Sequence, residues 1–379
     1  MIFVYITAGL LVVYGILFQY YRTWWRQLPT FVIDPSTRWV PDTRISVIVP
    51  ARNEAGNIAD CIHSICRQDY PSHLLQVIIA DDGSTDKTFE IASNIFYDGV
   101  EILCLKLPPI DNNNAPKKRA IEAGIAKATG ELIVTTDADC EAAVNWLKSI
   151  SVYHYQSKNI FIAAPVKIKS DGSLLSKFQA LDFLTMQGIT GAAVFKQFHY
   201  MCNGANLAYD KKIFYDVKGF EGINTIASGD DMLLMNKIAK LYPQQLGFLK
   251  SAEAIVTTWP AHTWKQFFNQ RVRWASKATH YNQSNIFLVL LLVYGTNLFL
   301  FAILLTALWQ PMALLFFALL CFVKFLMEFF FVRSVAVFFK QEYLLPWLFF
   351  LQPLHIFYIV ISGFFGQFKS YEWKGRKLK

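Results

Sequence analysis

Between residues 45 and 136 the chain repeats one pattern, a short run of β-branched and other apolar residues followed by a stretch with helical spacing. The runs are 45–51 (ISVIVPA), 75–80 (LQVIIA), 101–107 (EILCLKL) and 132–136 (LIVTT), and 160–168 is a further candidate. Runs that stay apolar on successive residues belong to strands covered on both faces, as in parallel sheets. Helical stretches fall between them, at about 56–67, 85–93 and 116–128. The alternation predicts a doubly wound α/β fold with a mostly parallel sheet. Ligands of such sheets sit beyond the carboxyl ends of the strands. Asp81, Asp82, Asp137 and Asp139 all fall at those ends, so they are expected to converge.

The flanks differ in kind. Residues 1–20 carry no charge, and they are long enough to cross a hydrocarbon core of ~30 Å as a helix. A signal peptide is the competing reading. It is disfavoured because no basic stretch precedes the run and no small-residue cleavage site follows it. An anchor over 1–21 is therefore expected. Arg22 and Arg26, with Trp24 and Trp25 between them, form a basic and aromatic border that places the next segment in the cytoplasm. Beyond it the sequence divides into a soluble domain over 42–282, membrane helices within 285–366, and a basic tail over 367–379.

Three apolar segments make up the membrane part, 285–309, 312–332 and 346–365. Lys324 and Glu328 interrupt the second, four residues apart, so they can pair on one face. Pro353 and His355 interrupt the third. Either one segment is re-entrant or interfacial, or the basic tail departs from the positive-inside tendency. The expected location is a bacterial inner (plasma) membrane, with the soluble domain facing the cytoplasm.

The net charge of +8 is dispersed along the chain and suits a surface of anionic lipid; with no nucleic-acid motif present, no nucleic-acid partner is expected. The six cysteines show no zinc-type spacing and read as free thiols.

Five groups of residues carry chemistry. Asp137-Ala138-Asp139 ends an apolar strand, where two carboxylates one residue apart can face a divalent ion; hard oxygens suit Mg²⁺ or Mn²⁺ bridging to substrate phosphates. A helix cap with a solvated acid is the plainer alternative. Asp81-Asp82-Gly83-Ser84-Thr85-Asp86 ends another strand and carries more acid than a turn and cap require. Asp230 and Asp231 precede an apolar helical run and offer a general base, or simply a favourable charge at a helix start. Gln270, Arg273 and Trp274 lie on one helical face and bring an amide, a guanidinium and an indole to it, either for a diphosphate and a sugar or as an interfacial girdle. Lys117, Lys118 and Arg119 begin a helix and either screen a phosphate or are solvated. The stretch 172–198 reads as an amphipathic interfacial helix or as a core helix.

Taken in chain order, the motifs resemble those of the membrane-anchored family 2 glycosyltransferases of GT-A fold, the group containing cellulose, hyaluronan and ceramide-glucoside synthases. The resemblance covers about 46–274 and extends to the flanking helices. It implies that Pro50-x-Arg52-Asn53-Glu54 and Asp81-Asp82 open a nucleotide-binding region, in which Arg52, Glu54, Asp81, Asp82, Lys117 and Asp137 meet a nucleotide-sugar donor. Asp137 and Asp139 become the metal ligands, for Mg²⁺ or Mn²⁺. Asn203, Gly204 and Asn206 resemble the acceptor-side loop, with Asp230 beside them in place of the usual Glu. Asp231 inherits the role of base, and Gln270, Arg273 and Trp274 match QxxRW. The implied reaction is inverting transfer from a UDP-linked sugar to a hydroxyl of a membrane lipid or glycan. With few C-terminal apolar segments, a lipid acceptor is favoured. A small processive polysaccharide synthase and a non-catalytic nucleotide-sugar-binding membrane protein are the alternatives. A Rossmann dehydrogenase is disfavoured, because the first strand leads into PARNEAGN and not a GxGxxG turn.

Overall fold

The computed structural model describes residues 2–34, 41–108, 115–226, 228–276, 283–368, 371–373 and 376–378. The end of the expected soluble domain, 277–282, and residues 369, 370, 374, 375 and 379 of the expected tail lie outside the described residues. The chain forms two compact units. A sheet unit comprises Pro29–Lys167, Tyr200–Trp259 and Glu372–Lys379, and a helical unit comprises Met1–Leu28, Ile168–His199 and Pro260–Tyr371.

Helix α1 (Ile2–Gln27) opens the chain and belongs to the helical unit. The sheet unit begins with β1 (Ile45–Ala51), α2 (Ile58–Cys66), β2 (Leu75–Asp81), α3 (Thr88–Ser93), β3 (Glu101–Lys106), α4 (Pro116–Lys127) and β4 (Leu132–Thr135). The four strands are parallel, in the order β3-β2-β1-β4. All of β2 is buried, as is β1 except at Pro50, which is why both read as unbroken apolar runs. The edge strand β3 exposes Glu101 and Lys106, charges that discourage pairing with another chain.

Next come β5 (Cys140–Ala142), α5 (Trp146–Ser157), β6 (Phe161–Ala163), β7 (Val166–Ile168) and α6 (Leu174–Phe195). They are followed by β8 (Leu207–Asp210), α7 (Lys211–Asp216), α8 (Asp230–Leu241), β9 (Leu246–Phe248) and β10 (Val256–Thr258). The main sheet has the order β3-β2-β1-β4-β8-β6-β9, with β8 antiparallel to both neighbours, and a second sheet runs β5-β10-β7. The single strand expected over 160–168 is thus two strands in separate sheets. Pro165 lies between them and has no N–H to continue the ladder. The helix expected from 85 starts only at Thr88, because the preceding residues are tied into a turn: the Thr85 N–H donates to Asn53 Oδ1 (2.8 Å) and the Thr88 N–H to Asp86 Oδ1 (3.0 Å).

The helical unit adds α9 (Trp264–Ala275), α10 (Ser284–Thr306), α11 (Met312–Phe339), α12 (Leu345–Phe350) and α13 (Gln352–Phe368); short strands β11 (Tyr371–Trp373) and β12 (Arg376–Leu378) end the described chain. Helices α1, α10 and α11 are long and apolar enough to cross a membrane. The third expected C-terminal segment is not continuous: between α12 and α13 the chain bends by 75°. Pro353 explains the break, since its ring lacks an N–H and would press on the carbonyl of Phe349 in a continuous helix. Lys324 and Glu328 pair as expected, at 2.7 Å, and Gln352 Oε1 (2.8 Å from Lys324 Nζ) and the Tyr14 hydroxyl complete the knot. Helix α6 is buried on all sides rather than amphipathic, so the core-helix reading of 172–198 is the one observed. A Cβ on Gly188 of α6 would come within 2.3 Å of Val335 on α11, which is why glycine stands there.

Candidate active site

Strand register brings the acidic strand ends together. Ala51 of β1 lies opposite Asp81 of β2, and Ile48 of β1 lies opposite Thr135 of β4, so the chain leaves β1, β2 and β4 along one edge. The residues there do different things. Ser84 donates to Asp81 through its N–H (3.1 Å) and its hydroxyl, so Asp81 shapes the turn in which Gly83 takes a φ of 67°. Asp82, only 2% exposed, accepts from Arg119 (2.6 Å) with Arg52 at 4.0 Å, and Arg52 also donates to the Gly83 carbonyl (2.8 Å). Glu54 accepts from the Asn57 amide (2.9 Å). Arg52, Asp82 and Arg119 thus form one connected set at the end of β2.

A second group converges beside it. Lys117, on the first turn of α4, places its ammonium 2.7 Å from Asp137 Oδ1 and 3.2 Å from Asp230 Oδ2. Asp231 Oδ2 accepts from the Gly204 N–H (3.0 Å), and its Oδ1 accepts from the Met232 N–H (2.7 Å). A Cβ at Gly204 would meet Lys117 Nζ at 2.9 Å and Asp230 Oδ2 at 3.1 Å, so glycine keeps this spot open. Burial works against the Lys117 ammonium, but the carboxylates of Asp137, Asp230 and Asp231 outweigh it and hold its pKa well above the ordinary lysine range. Asp137 and Asp139 also flank the buried thiols of Cys61 and Cys140, which are pushed up first by burial and then by these two carboxylates. Among the described residues no cluster of three or more His, Cys, Asp or Glu has metal-holding geometry.

Several roles were invisible in the sequence. Lys118, adjacent to Lys117, is buried and donates to the carbonyls of Ile223 (2.6 Å), Ile226 (2.7 Å) and Ser228 (3.0 Å), which ties these three residues to α4. Asn203 caps its own loop, with Oδ1 accepting from the Ala205 N–H (2.9 Å). Asn206 is fully buried and not brought to the cluster. Its amide donates to the Pro165 and Ala254 carbonyls (2.8 Å each) and accepts from Trp146 Nε1 (2.8 Å), so it fixes the loop from within the core.

Gln270, Arg273 and Trp274 lie on α9 of the helical unit, where spacings of three and four residues put them on one face. The buried residue of that motif is Arg271. Its guanidinium faces Asp182 of α6 (3.0 Å), lies 4.1 Å from the centre of the Trp274 ring, and is flanked by Phe267 and Tyr358. Tyr358 of α13 donates to the other Asp182 oxygen (2.7 Å). The sequence did hold a signal, because Asp182 is the one acid in a 22-residue apolar helix and such a charge requires a partner. Asp182→Ala strands the buried guanidinium and should cost about 3–5 kcal/mol. By contrast, Asp69→Ala, which breaks the exposed pair with Lys148, should cost about 0–1 kcal/mol. Thermal unfolding in detergent checks both, and equal shifts would contradict the assignment.

Residues 46–218 match the family described as Glycosyl transferase family 2. The probable glycosyltransferase YdaM of Bacillus subtilis is 24% identical over 270 residues, 68% of this chain and 60% of the relative. Glycosyltransferase AglE of Haloferax volcanii is 35% identical over 106 residues, 27% of this chain and 33% of the relative. A β-monoglucosyldiacylglycerol synthase of Nostoc sp. is 31% identical over 105 residues, 27% of this chain and 22% of the relative. The chain thus spans less than two thirds of the length of these curated relatives. Among solved structures, mannosyltransferase PcManGT from Pyrobaculum calidifontis, in complex with GDP-Man and Mn²⁺, has a TM-score of 0.56 at 18% identity, with 96% of this chain and 98% of that one covered, so the two share a fold. The stretch that matches the family 2 glycosyltransferase model, 46–218, thus carries the parallel strands β1 to β4 of the wound sheet.

Proposed function

We propose that the chain is an inverting glycosyltransferase that moves a sugar from a nucleotide-diphosphate donor, UDP-linked, to a hydroxyl of a membrane lipid. The observation that carries the reading is the meeting of Lys117, Asp137, Asp230 and Asp231 beside Gly204, whose missing side chain lets them approach. Asp137 and Asp139 offer hard oxygens, both partly exposed. This donor set fits Mg²⁺ or Mn²⁺, ions commonly held by one or two carboxylates with water and substrate phosphate completing the shell. When bound, the ion supplies Lewis-acid stabilisation of the diphosphate as it leaves.

The chain's own residues do the rest. The Arg52, Asp82 and Arg119 frame, with Glu54 and Asp81, holds the nucleotide end of the donor. Lys117 brings a permanent positive charge toward the diphosphate. Asp231 takes the proton of the acceptor hydroxyl as that oxygen attacks the anomeric carbon and the bond to the diphosphate oxygen breaks. One displacement turns an α-linked donor into a β-linked product. Asn203, Gly204 and Asp230 border the acceptor side. For Gln270, Arg273 and Trp274 the proposal rests on the resemblance of their motif, which assigns an amide and a guanidinium to the departing diphosphate and an indole to a sugar.

A lipid acceptor and a plasma-membrane location, with the sheet unit on the cytoplasmic side, are supported by the three long apolar helices, by Arg22 and Arg26 after α1, and by the similarity to a β-monoglucosyldiacylglycerol synthase. The test is nucleotide release by detergent-solubilised full-length protein, with MnCl₂ or MgCl₂, over a panel of UDP- and GDP-sugars with and without membrane lipid extract. Release that needs lipid is the expected result. Lipid-independent polymer growth would replace the lipid reading with a processive synthase, and no release with any donor would overturn the enzymatic reading.

A further inference from the structure

Lys117 is the one cation seated directly on the Asp137-Ala138-Asp139 motif among the ion pairs of the described residues. Its ammonium bridges Asp137 to Asp230 and fills the spot beside Gly204 where a side chain would otherwise reach. A divalent ion on Asp137 would share a carboxylate with this ammonium, and the two cations repel at such range. From this geometry we propose that Lys117 is the resident counter-ion of the donor-free protein and competes with the metal for Asp137, so that metal and donor bind as a coupled pair. The proposal rests on the metal-dependent reading above and deepens it.

The coupling follows from where the ammonium can go. Lys117 sits on a flexible stem at the helix start, and a donor diphosphate is a second anion within its reach. When the diphosphate takes the ammonium, Asp137 is released to the metal. Without donor, the metal must displace a positive charge held by Asp137 and Asp230 together, with Asp231 adding to the field. Loss of Lys117 therefore strengthens one binding step while it weakens the donor step.

The test is Mn²⁺ binding to the full-length protein in detergent, read by the loss of the free-ion EPR signal, with MnCl₂ alone and with MnCl₂ plus UDP. Wild type should bind Mn²⁺ weakly alone and at least about tenfold more tightly with UDP. Lys117→Met should bind Mn²⁺ alone at least about tenfold more tightly than wild type, with a correspondingly smaller gain from UDP. Lys117→Arg keeps the charge and should stay near wild type, which separates loss of charge from loss of packing; circular dichroism establishes that each variant is folded. Adding Asp137→Asn to Lys117→Met should abolish the gain and locate it at this carboxylate. Equal donor-free Mn²⁺ affinity in wild type and Lys117→Met, or no binding by either, overturns the proposal. Failure of UDP to strengthen Mn²⁺ binding in any variant counts against the nucleotide-sugar reading and overturns the coupling with it, whereas the competition for Asp137 is read from Mn²⁺ alone.

Discussion

Replacing Asp231 by Asn is expected to cut sugar transfer by about 10²–10⁴-fold, the range a general base contributes, while the protein stays folded. Asp231 accepts from two backbone N–H groups, of Gly204 and Met232. An Asn side chain retains one carbonyl oxygen, enough to keep the bond to Gly204. It cannot take a proton from the acceptor. The loss should therefore appear in turnover, with donor affinity little changed and the unfolding temperature shifted by no more than a few degrees. Initial rates of nucleotide release, set beside UDP binding by calorimetry, separate these effects. A variant within about threefold of wild type would remove Asp231 from the reaction.

The second large effect is expected at Asp137. Asp137→Asn takes away a hard anionic oxygen and one of the two carboxylates that hold Lys117. Lewis-acid stabilisation of a leaving diphosphate is worth several kcal/mol, so a loss of about 10³-fold or more is expected at any Mn²⁺ concentration. The rate should no longer rise with added MnCl₂. Asp81→Asn should act differently, by loosening the turn at the nucleotide end and so weakening donor binding, because Asp81 is bound to Ser84 within that turn. If Asp81→Asn lost activity with full donor binding and unchanged stability, that distinction would fail.

Much of the sheet was legible in the sequence, for a physical reason. Strands β1, β2 and β4 are covered on both faces, so burial writes itself into consecutive apolar residues, and the acids that follow them had to share an edge. Strand β8, Leu-Ala-Tyr-Asp, is too short to show a period, and its antiparallel place between β4 and β6 is set by long-range pairing. Helix α6 was ambiguous because its polar residues are satisfied elsewhere: Gln179 grips the backbone of Ala261, and Asp182 meets Arg271 and Tyr358. Periodicity sees only the side chain, not the partner that neutralises it.

The same limit applies to the cluster of charges. Asp137 was legible as an acid at a strand end and Asp230 as one at a helix start, but the ammonium that joins them was only one of three consecutive basic residues. Lys117, Lys118 and Arg119 look alike in sequence, yet one bridges carboxylates, one binds three backbone carbonyls, and one holds Asp82. Their separate tasks follow from the helical rotation of about 100° between neighbours, which sends each to a different wall.

The most direct test of the account is the anomeric configuration of the product formed from an α-linked nucleotide sugar, read from the one-bond and vicinal proton couplings at the anomeric centre by NMR. A single displacement with Asp231 as base predicts a β-linked product, formed by wild type and absent from Asp231→Asn. An α-linked product would require a second displacement or a front-face route, and would contradict the assignment of Asp231 and the mechanism built on it.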